Sequence, residues 1–493
     1  MNHPLIYEVN TRCWLRELSG LHGTKITLGN VPEAEVERWR RLGFTHVWLM
    51  GVWATGAHSR ACSRSLPGLR QSCRDLMPDF SVADILGSPF AISGYQVSRP
   101  LGGESGLQQF RRRLAESGLK LILDFIPNHT GLDHAWLVER PELFVQSPQA
   151  RPETFRVETP VGPRWIAHGK DPFFPAWIDT AQLDHRNPAT RAALVDELRT
   201  LAALCDGVRC DMAMLVLSEV FERTWQHVPS PHAPLETEFW SEAIPAMKQA
   251  QPEFLFLGEV YWDLEARLQE LGFDYTYDKR LYDYLVSHNY PAVRQHLFAV
   301  PPPFLNASVH FLENHDEARI KALLAWPEHR PAALITLGLP GARLLYDGQL
   351  TGASCKTRVH AGRRSPEAPD PEITAWYEMA LRALQPTAVG RGQGEIIRTH
   401  RAWEDNPTAQ DFVIVQWQSA GPAFDLVVTN LAAHQSQCYA ALTARSLGDH
   451  NWRMKNLLGE EVFERRGDDL ERQGLYLDVP AHGAQLFHFE PIG

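Results

Sequence analysis

The sequence lacks the features of a membrane, secreted or nucleic-acid-binding protein. It has no apolar stretch that approaches the roughly 18 residues of a membrane-spanning helix. Its first residues lack a charged segment followed by an apolar one, so we expect no secretory signal. Lys and Arg together number 48 against 59 Asp and Glu, whereas nucleic-acid binders usually carry a basic excess. We therefore expect neither a membrane nor a nucleic acid as partner.

Cysteine is also scarce. The 7 cysteines are odd in number, scattered along the chain, and form no Cys-x-x-Cys pair. Reduced thiols in the cytoplasm are typical of this pattern, whereas a secreted disulfide framework is not. We expect a cytoplasmic protein.

The composition that remains is that of a large globular protein. The 493 residues are 44% hydrophobic and 22% charged, which excludes a disordered or fibrous chain. At roughly 150 residues per domain, this length predicts about three domains. The 15 Trp residues could stack on sugar rings, although most Trp side chains fill protein cores.

Short apolar runs alternate with amphipathic segments over the first three quarters of the chain. Eight strands, each followed by a helix, predict an α/β fold with a closed parallel (β/α)8 TIM barrel. The predicted strands are residues 5–9, 45–49, 119–125, 207–211, 254–260, 273–277, 308–312 and 342–346. The predicted helices are residues 33–42, 106–118, 189–204, 237–251, 264–271 and 318–325.

Two long insertions and a β-rich tail complete the predicted architecture. The first insertion follows the second strand and contains Cys62 and Cys73; the second, residues 131–184, follows the third strand as a small subdomain. Segments that follow barrel strands lie at the face where barrel active sites occur. Four strand-like runs after about residue 385 predict a C-terminal all-β sandwich. We expect a barrel over 1–388, interrupted by 131–184, and a sandwich over 389–493.

Four segments place acidic and histidine residues where an apolar run ends. They are Asp-Phe-Ile-Pro-Asn-His at 124–129, Gly-Val-Arg-Cys-Asp at 207–211, Gly-Glu at 258–259 and Asn-His-Asp-Glu-Ala-Arg at 314–319. Taken singly, each has a structural explanation: a loop cap, a core histidine, an ion pair or a turn. Together, in this order and at strand ends, they indicate one site at the top of a barrel.

The second and third segments suit the chemistry of glycoside hydrolysis. Arg209 and Asp211 project to the same side of a strand, and a cation beside a carboxylate keeps it ionised, as a nucleophile must be. Glu259 ends an apolar run, where desolvation would raise its pKa and let it act as an acid. Glycoside hydrolysis requires two carboxyl groups in these two states.

The four segments together resemble the sequence regions of the α-amylase family, glycoside hydrolase family thirteen. The resemblance extends over the barrel from residue 5 to about residue 384, and the β-rich tail resembles the family's C-terminal domain. Further matches are Ile6-Tyr7-Glu8, Gly87-Ser88-Pro89-Phe90 and Gln182-Leu183-Asp184.

The resemblance implies a role for each residue that matches a motif. Asp211 would be the nucleophile, Glu259 the general acid and base, and Asp316 the carboxylate that holds the sugar's 2- and 3-hydroxyls. The cleaved sugar would be bound by a larger set, which comprises Phe90, Tyr95, His129, Arg209, Met214, His315 and Arg319. Asp124 and Asn128 would support the site from behind.

The sequence also departs from the family pattern. Met214 and Leu215 replace a Lys-His pair that often contacts the leaving group, and Phe90 replaces a stacking Tyr. Asn128 and Asp184 match positions that can contribute to a calcium site in the second insertion. That insertion carries few carboxylates for a cation that binds six or more oxygens, so we expect no cofactor.

Three functions remain open on the sequence alone. The first is a retaining α-glycosidase that hydrolyses α-1,4 bonds of maltooligosaccharides or α-glucans. The second is a transglycosylase or isomerase of the trehalose synthase, maltosyltransferase or sucrose phosphorylase type, which the apolar Met214-Leu215 step favours. The third, a non-catalytic carbohydrate-binding barrel, is disfavoured because all three carboxylates are present. The sequence does not predict an oligomeric state.

Overall fold

The computed structural model describes residues 3–160, 162–232 and 236–492. Eight parallel strands close into a barrel in chain order, with the first strand hydrogen-bonded to both the second and the eighth. The barrel strands are β1 Leu5–Asn10, β2 His46–Met50, β3 Lys120–Phe125, β4 Gly207–Cys210, β5 Leu255–Gly258, β6 Tyr275–Tyr277, β7 Ser308–Phe311 and β8 Ala342–Tyr346.

The predicted α/β barrel is therefore confirmed, and each of its strands was located from its apolar run. Strands buried on both faces are nearly all apolar, which made these runs visible in the sequence. The sixth strand is shorter than predicted, because Gly272 turns the chain at φ +106° and the Asp274 carboxylate accepts from the backbone of Phe256. The hydrophobicity of the sequence does not show at which residue a strand begins to hydrogen-bond to its neighbours.

Helices surround the barrel. The described helices are Thr11–His22, Glu33–Arg41, Ala57–Ser65, Pro67–Leu76, Gly103–Glu116, Trp136–Glu139, Pro188–Ala202, Ser218–Trp225, Phe239–Ala250, Glu265–Glu270, Lys279–Val286, Tyr290–Ala299, Pro302–Asn306, Ile320–Leu323, Trp326–Gly338, Pro371–Leu384 and Gly467–Gln473. No helix among these described residues is long and apolar enough to cross a bilayer.

One helix prediction was wrong in extent. The segment 318–325 forms only the single turn Ile320–Leu323, and the helix between β7 and β8 is Trp326–Gly338. The sequence does not reveal this helix clearly, because Pro327 lies in its first turn, Pro331 lies inside it, and apolar residues occupy nearly all its faces. Prolines are tolerated in a first turn, where backbone N–H groups have no helical partner.

The two insertions form substructures at the carboxyl ends of β2 and β3. The first contains the hairpin Trp53–Thr55 with Ile92–Val97 and the helices Ala57–Ser65 and Pro67–Leu76. The second contains a three-stranded sheet, whose strands are Gln146–Ser147, Thr154–Val157 and Arg164–Ala167. Both therefore border the end of the barrel where its strands finish.

The C-terminal part is built from two antiparallel sheets. The larger has, in spatial order, Gln393–Ile396, Phe412–Gln418, Phe424–Asn430, Ala484–Ile492, Asn451–Asn456 and Val462–Arg466. The smaller has Thr399–Arg401, Ser436–Ala440 and Leu475–Val479. A buried core that includes Phe412, Trp452 and Leu477 joins them, so the predicted all-β architecture is confirmed.

This β-rich part packs directly on the barrel. Trp417 donates its indole N–H to the carbonyl of Gly338 at 2.7 Å. A Cβ at Gly338 would lie 2.6 Å from Val427, so only glycine allows this close approach of helix and sheet.

Candidate active site

The predicted site residues follow four barrel strands and meet at one end of the barrel. Backbone hydrogen bonds continue across the strand ends: Asp211 N–H donates to Phe125, and Glu259 N–H donates to Cys210. Because these strands are parallel, the residues after β3, β4 and β5 lie side by side.

Arg209 lies at the centre of the site and contacts two of the three predicted catalytic carboxylates. Its Nη1 is 2.7 Å from Oδ1 of Asp211, and its Nη2 is 2.5 Å from Oε2 of Glu259. The Arg209 side chain is fully buried, and its guanidinium lies 5.2 Å from the ring centre of Phe90. One guanidinium therefore fixes the relative position of Asp211 and Glu259.

The two carboxylate oxygens of Asp211 differ in their surroundings. Oδ1 accepts from Arg209, whereas Oδ2 is buried and has no hydrogen-bond partner among the described residues. Burial raises the pKa of Asp211, and the Arg209 charge opposes this rise. The carboxylate thus has one oxygen held by a cation and one without a hydrogen-bond partner.

Glu259 is held by three donors. Its Oε2 accepts from Arg209 and, at 2.6 Å, from the backbone N–H of Met212, and its Oε1 accepts from the Tyr261 phenol at 2.9 Å. Met212 adopts a left-handed conformation with φ +43°, an unfavourable backbone for a non-glycine residue. Burial raises the pKa of Glu259 to about 7, so a large share of this group is protonated near neutrality.

Asp316 is the third carboxylate, and His315 binds it. The Oδ2 of Asp316 is 2.9 Å from Nε2 of His315, whose Nδ1 is 2.6 Å from Oε1 of Glu8. Burial would lower the pKa of His315, but Asp316 and Glu8 raise it well above its usual value. Burial would raise the pKa of Asp316, but the His315 charge lowers it to about 2, so Asp316 stays ionised.

Two aromatic contacts complete the walls of the site. The half-buried Phe90 ring lies 5.3 Å from the His315 ring, so it spans the distance between His315 and Arg209. His129 packs 5.2 Å from the ring of Trp177, which belongs to the second insertion. Burial lowers the pKa of His129 to about 4, so its imidazole is neutral at pH 7.

Three predicted substrate-binding residues make contacts within the protein in this structure, and their role in binding the sugar stays a prediction. Tyr95 exchanges hydrogen bonds with the backbone of Ile126, so its hydroxyl is already used. Met214 is fully buried in the turn Ala213–Val216 and contacts the core instead of a ligand. Arg319 is buried too; it binds Glu313 at 2.8 Å and lies over the Tyr346 ring.

The predicted supporting residues are buried behind the site. Asp124 accepts from the Trp48 indole at 3.0 Å and from the backbone of Gly51 at 2.8 Å, which joins β3 to β2. Asn128 accepts from Gln182 at 3.0 Å and so ties the loop after β3 to the end of the second insertion.

The residues considered for calcium do not fit a cation. Both oxygens of Asp184 are occupied by Arg186, at 2.8 Å from Nε and 3.0 Å from Nη2, and both side chains are buried. The carbonyl oxygen of the Asn128 amide is used by Gln182. Over 3–160, 162–232 and 236–492, no cluster of three His, Cys, Asp or Glu side chains could hold a metal ion.

The sequence analysis assigned no role to three residues that contact this site, although one of them, Glu8, lies in a segment that matches the family. Glu8 is an acid within the otherwise apolar strand β1, a signal that marked it as unusual. Tyr261 comes two residues after Glu259, and Lys356, after β8, donates to the main-chain oxygen of Asp316. Neither position carries a pattern that distinguishes it from a surface loop residue.

Comparison with known proteins gives an independent assignment of this part of the chain. The family model described as the α-amylase catalytic domain matches residues 40–414, which is more than half of the chain.

Two curated relatives match about half of the chain. Alpha-amylase MalA of Haloarcula japonica is 25% identical over 276 residues, 52% of this chain and 35% of that protein. Alpha-amylase 3 of Dictyoglomus thermophilum is 22% identical over 299 residues, 56% of each. The chain therefore spans between about a third and just over half of the length of these relatives.

Solved structures extend the fold similarity to the whole chain. The crystal structure of the maltogenic α-amylase AmyB from Thermotoga neapolitana aligns with a TM-score of 0.69 over 99% of both chains, at 18% identity. At this identity the likeness concerns the fold alone.

Proposed function

The chain belongs to the α-amylase family of glycoside hydrolases, and we propose that it is a retaining enzyme that cleaves α-1,4-glucosidic bonds. The proposed substrates are maltooligosaccharides and α-glucans. The names of the relatives, two α-amylases and a maltogenic α-amylase, support this substrate class.

The proposal rests on one observation: Asp211 and Glu259 both bind the guanidinium of Arg209. A retaining glycosidase needs two carboxyl groups near each other, one ionised and one protonated. Here Asp211 pairs with the guanidinium while its Oδ2 is free, and burial raises the pKa of Glu259 to about 7. These contacts support Asp211 as the nucleophile and Glu259 as the acid in the proposed reaction.

In the proposed first step, Glu259 gives its proton to the glycosidic oxygen while Oδ2 of Asp211 attacks the anomeric carbon. The bond to the leaving group breaks and a glycosyl ester on Asp211 forms. Positive charge that develops on the sugar is stabilised by the ionised Asp316. In the second step Glu259 takes a proton from water, whose oxygen displaces Asp211.

The alternatives from the sequence differ in their support. A non-catalytic barrel is set aside because the chain is a glycoside hydrolase of the α-amylase family. The transferase or isomerase alternative was favoured by Met214 and Leu215; both side chains are buried, so their position gives this alternative no direct support. Location in the cytoplasm stays a prediction, supported by 7 cysteines that are all free.

A product analysis tests the proposal. Purified protein is incubated separately with maltose, maltotriose, starch, pullulan, trehalose and sucrose, and the products are resolved by chromatography. We expect glucose and short maltooligosaccharides from maltotriose and starch. Trehalose from maltose, or products longer than the starting maltotriose, would instead assign the chain to the isomerase or transferase class.

A further inference from the structure

A large cavity lies between the barrel and the C-terminal part of the chain. Its volume is about 830 Å³, within the roughly 300–1,000 Å³ that is typical of small-molecule sites. One wall is the helix Tyr290–Ala299, which follows β6 in the chain, and the other includes the strand Thr399–Arg401 and the turn Thr408–Asp411. Among the described residues that line this interdomain cavity, none belongs to the candidate active site, so the two are separate.

The two walls of the cavity are held in place by contacts beside it. Arg294 on the helix donates from Nη1 to the carbonyl of Phe412 at 2.9 Å. Its guanidinium also lies 4.6 Å from the ring centre of Phe298, one turn further along the helix. On the opposite wall, Thr399 donates to the carbonyl of Ala409 at 2.6 Å. The cavity therefore lies between positioned surfaces, as in most small-molecule sites.

Two arginines that line the cavity have no acidic partner. Within the described residues, neither Arg294 nor Arg398 forms a salt bridge. Asp411 also lines the cavity, but its Oδ2 already accepts from Ser436 at 3.2 Å. Burial lowers the pKa of the half-buried Arg294, and the Arg398 charge adds to this decrease. Because like charges repel, an anion bound between the two guanidinium groups would stabilise both.

Other polar side chains around the cavity are free to bind a ligand. Over the described ranges, Gln295, His400 and Gln410 have no side-chain hydrogen bond, and all three line the cavity. Gln295 is on the helix, whereas His400 and Gln410 are on the opposite wall. A ligand in the cavity would thus meet amide groups from both sides.

Apolar side chains form much of the remaining lining. Pro291 and Phe298 come from the helix, and Val413 and Leu431 come from the C-terminal part. Apolar walls with a few placed polar groups are typical of sites for small organic molecules. The ligand that fits this lining carries an anionic group and a flat apolar ring, with hydrogen-bonding groups at the ring edge.

We propose that the interdomain cavity binds an adenine nucleotide. Its phosphates would bind Arg294 and Arg398, because arginine can donate two parallel hydrogen bonds to a phosphate group. Its base would lie against the apolar side chains, with the amide of Gln295 or Gln410 at the base edge, since glutamine pairs well with the N6 and N7 atoms of adenine. The inference goes beyond the proposed function, because it concerns a second site for a different class of molecule.

Calorimetric titration of the whole protein tests this ligand class. ADP should bind about tenfold more tightly than either adenosine or inorganic pyrophosphate, because only ADP combines the base with the phosphates. Absence of ADP binding would overturn the proposal. Pyrophosphate or glucose 6-phosphate that binds as tightly as ADP would also overturn it, because the base would then contribute nothing.

Matched variants locate the bound nucleotide. Arg398→Gln should weaken ADP binding about tenfold. Arg401→Gln removes the same charge from the same strand; Arg401 is exposed, does not line the cavity and donates to the carbonyl of Glu404 at 3.1 Å, so ADP binding should not change. Equal weakening by both variants would show a non-specific charge effect and overturn the proposal.

A third variant tests recognition of the base. Gln410→Ala should weaken ADP binding about threefold and leave pyrophosphate binding unchanged, because the amide contacts only the base edge. Equal loss for both ligands would contradict the proposed orientation of the nucleotide. The variants Arg398→Gln and Gln410→Ala break no side-chain contact within the described residues, so they should keep the Tm of the wild-type protein.

A further titration separates this inference from the proposed function. Asp211→Asn should bind ADP with the affinity of the wild-type protein, whether or not any glucoside is cleaved. Loss of ADP binding in Asp211→Asn, or displacement of ADP by maltotriose, would place the nucleotide in the candidate active site and overturn the inference. Hydrolysis of maltotriose without any ADP binding would overturn it too and leave the proposed function standing.

Discussion

The phenol of Tyr261 donates a 2.9 Å hydrogen bond to Oε1 of Glu259, two residues before it. A hydrogen bond to the ionised carboxylate favours that form, so the contact lowers the pKa of Glu259. Tyr261→Phe should therefore raise this pKa and move the high-pH limb of kcat/KM upward by about 1 unit. Tyr284→Phe, which packs near His296, is the control; equal profiles for wild type and Tyr261→Phe would refute this role.

The pH dependence of the wild-type enzyme follows from Glu259 and Asp211. Glu259 must be protonated to act as an acid, and burial raises its pKa to about 7, so kcat/KM should fall as pH rises through about 7. Asp211 must be ionised, so activity should also fall on the acidic side, where its raised pKa is reached. A rate that stays flat from pH 6 to 9 would exclude Glu259 as the acid.

Removal of the proposed nucleophile should abolish most activity. Asp211→Asn keeps the size of the side chain but cannot form the ester, so kcat should fall by about 10⁴-fold or more. Asp196→Asn, on an exposed face of the helix Pro188–Ala202, is the matched control and should retain full activity. Near-normal turnover by Asp211→Asn, with folding verified by circular dichroism, would contradict the assignment.

The burial of Met214 predicts a stability effect. Met214→Lys places an ammonium group in the core, so the free energy of unfolding should fall by about 3 kcal/mol or more. Met379→Lys, on the partly exposed helix Pro371–Leu384, should change it by less than about 0.5 kcal/mol. Urea denaturation measures both. A stable Met214→Lys variant would mean that this side chain faces the site after all.

The Asp184–Arg186 pair predicts that stability does not depend on calcium. Arg186 occupies both carboxylate oxygens, so EDTA or added calcium should leave Tm and activity unchanged. Arg186→Ala leaves a buried carboxylate unpaired and should cost about 3–5 kcal/mol. Arg199→Ala breaks an exposed pair and should cost less than about 1 kcal/mol. A large fall in Tm with EDTA would contradict this prediction.

The sequence was most informative where a run of buried apolar residues ends at an acidic side chain. Barrel strands such as Leu5–Asn10 and Ala342–Tyr346 are continuously buried, so their apolar runs marked them. Asp211 and Glu259 interrupt such runs, which placed them at strand ends. The Arg209–Asp211 pair followed from the two-residue period of a strand.

Side-chain directions after the strands could not be predicted in the same way. The left-handed Met212 turns the chain so that Ala213–Val216 points into the core, which buries Met214. Arg319 is drawn inward by Glu313 from its own loop. The contact of His315 with Glu8 joins residues 307 positions apart, and only the closed barrel brings them together.

The anomeric form of the first product tests the central claim most directly. Proton NMR of a fresh reaction with maltotriose, recorded before mutarotation, reports the configuration at the cleaved anomeric carbon. Two successive displacements, at Asp211 and then by water, predict that the α-anomer forms first. Initial release of the β-anomer would mean a single displacement by water and would contradict the covalent role of Asp211.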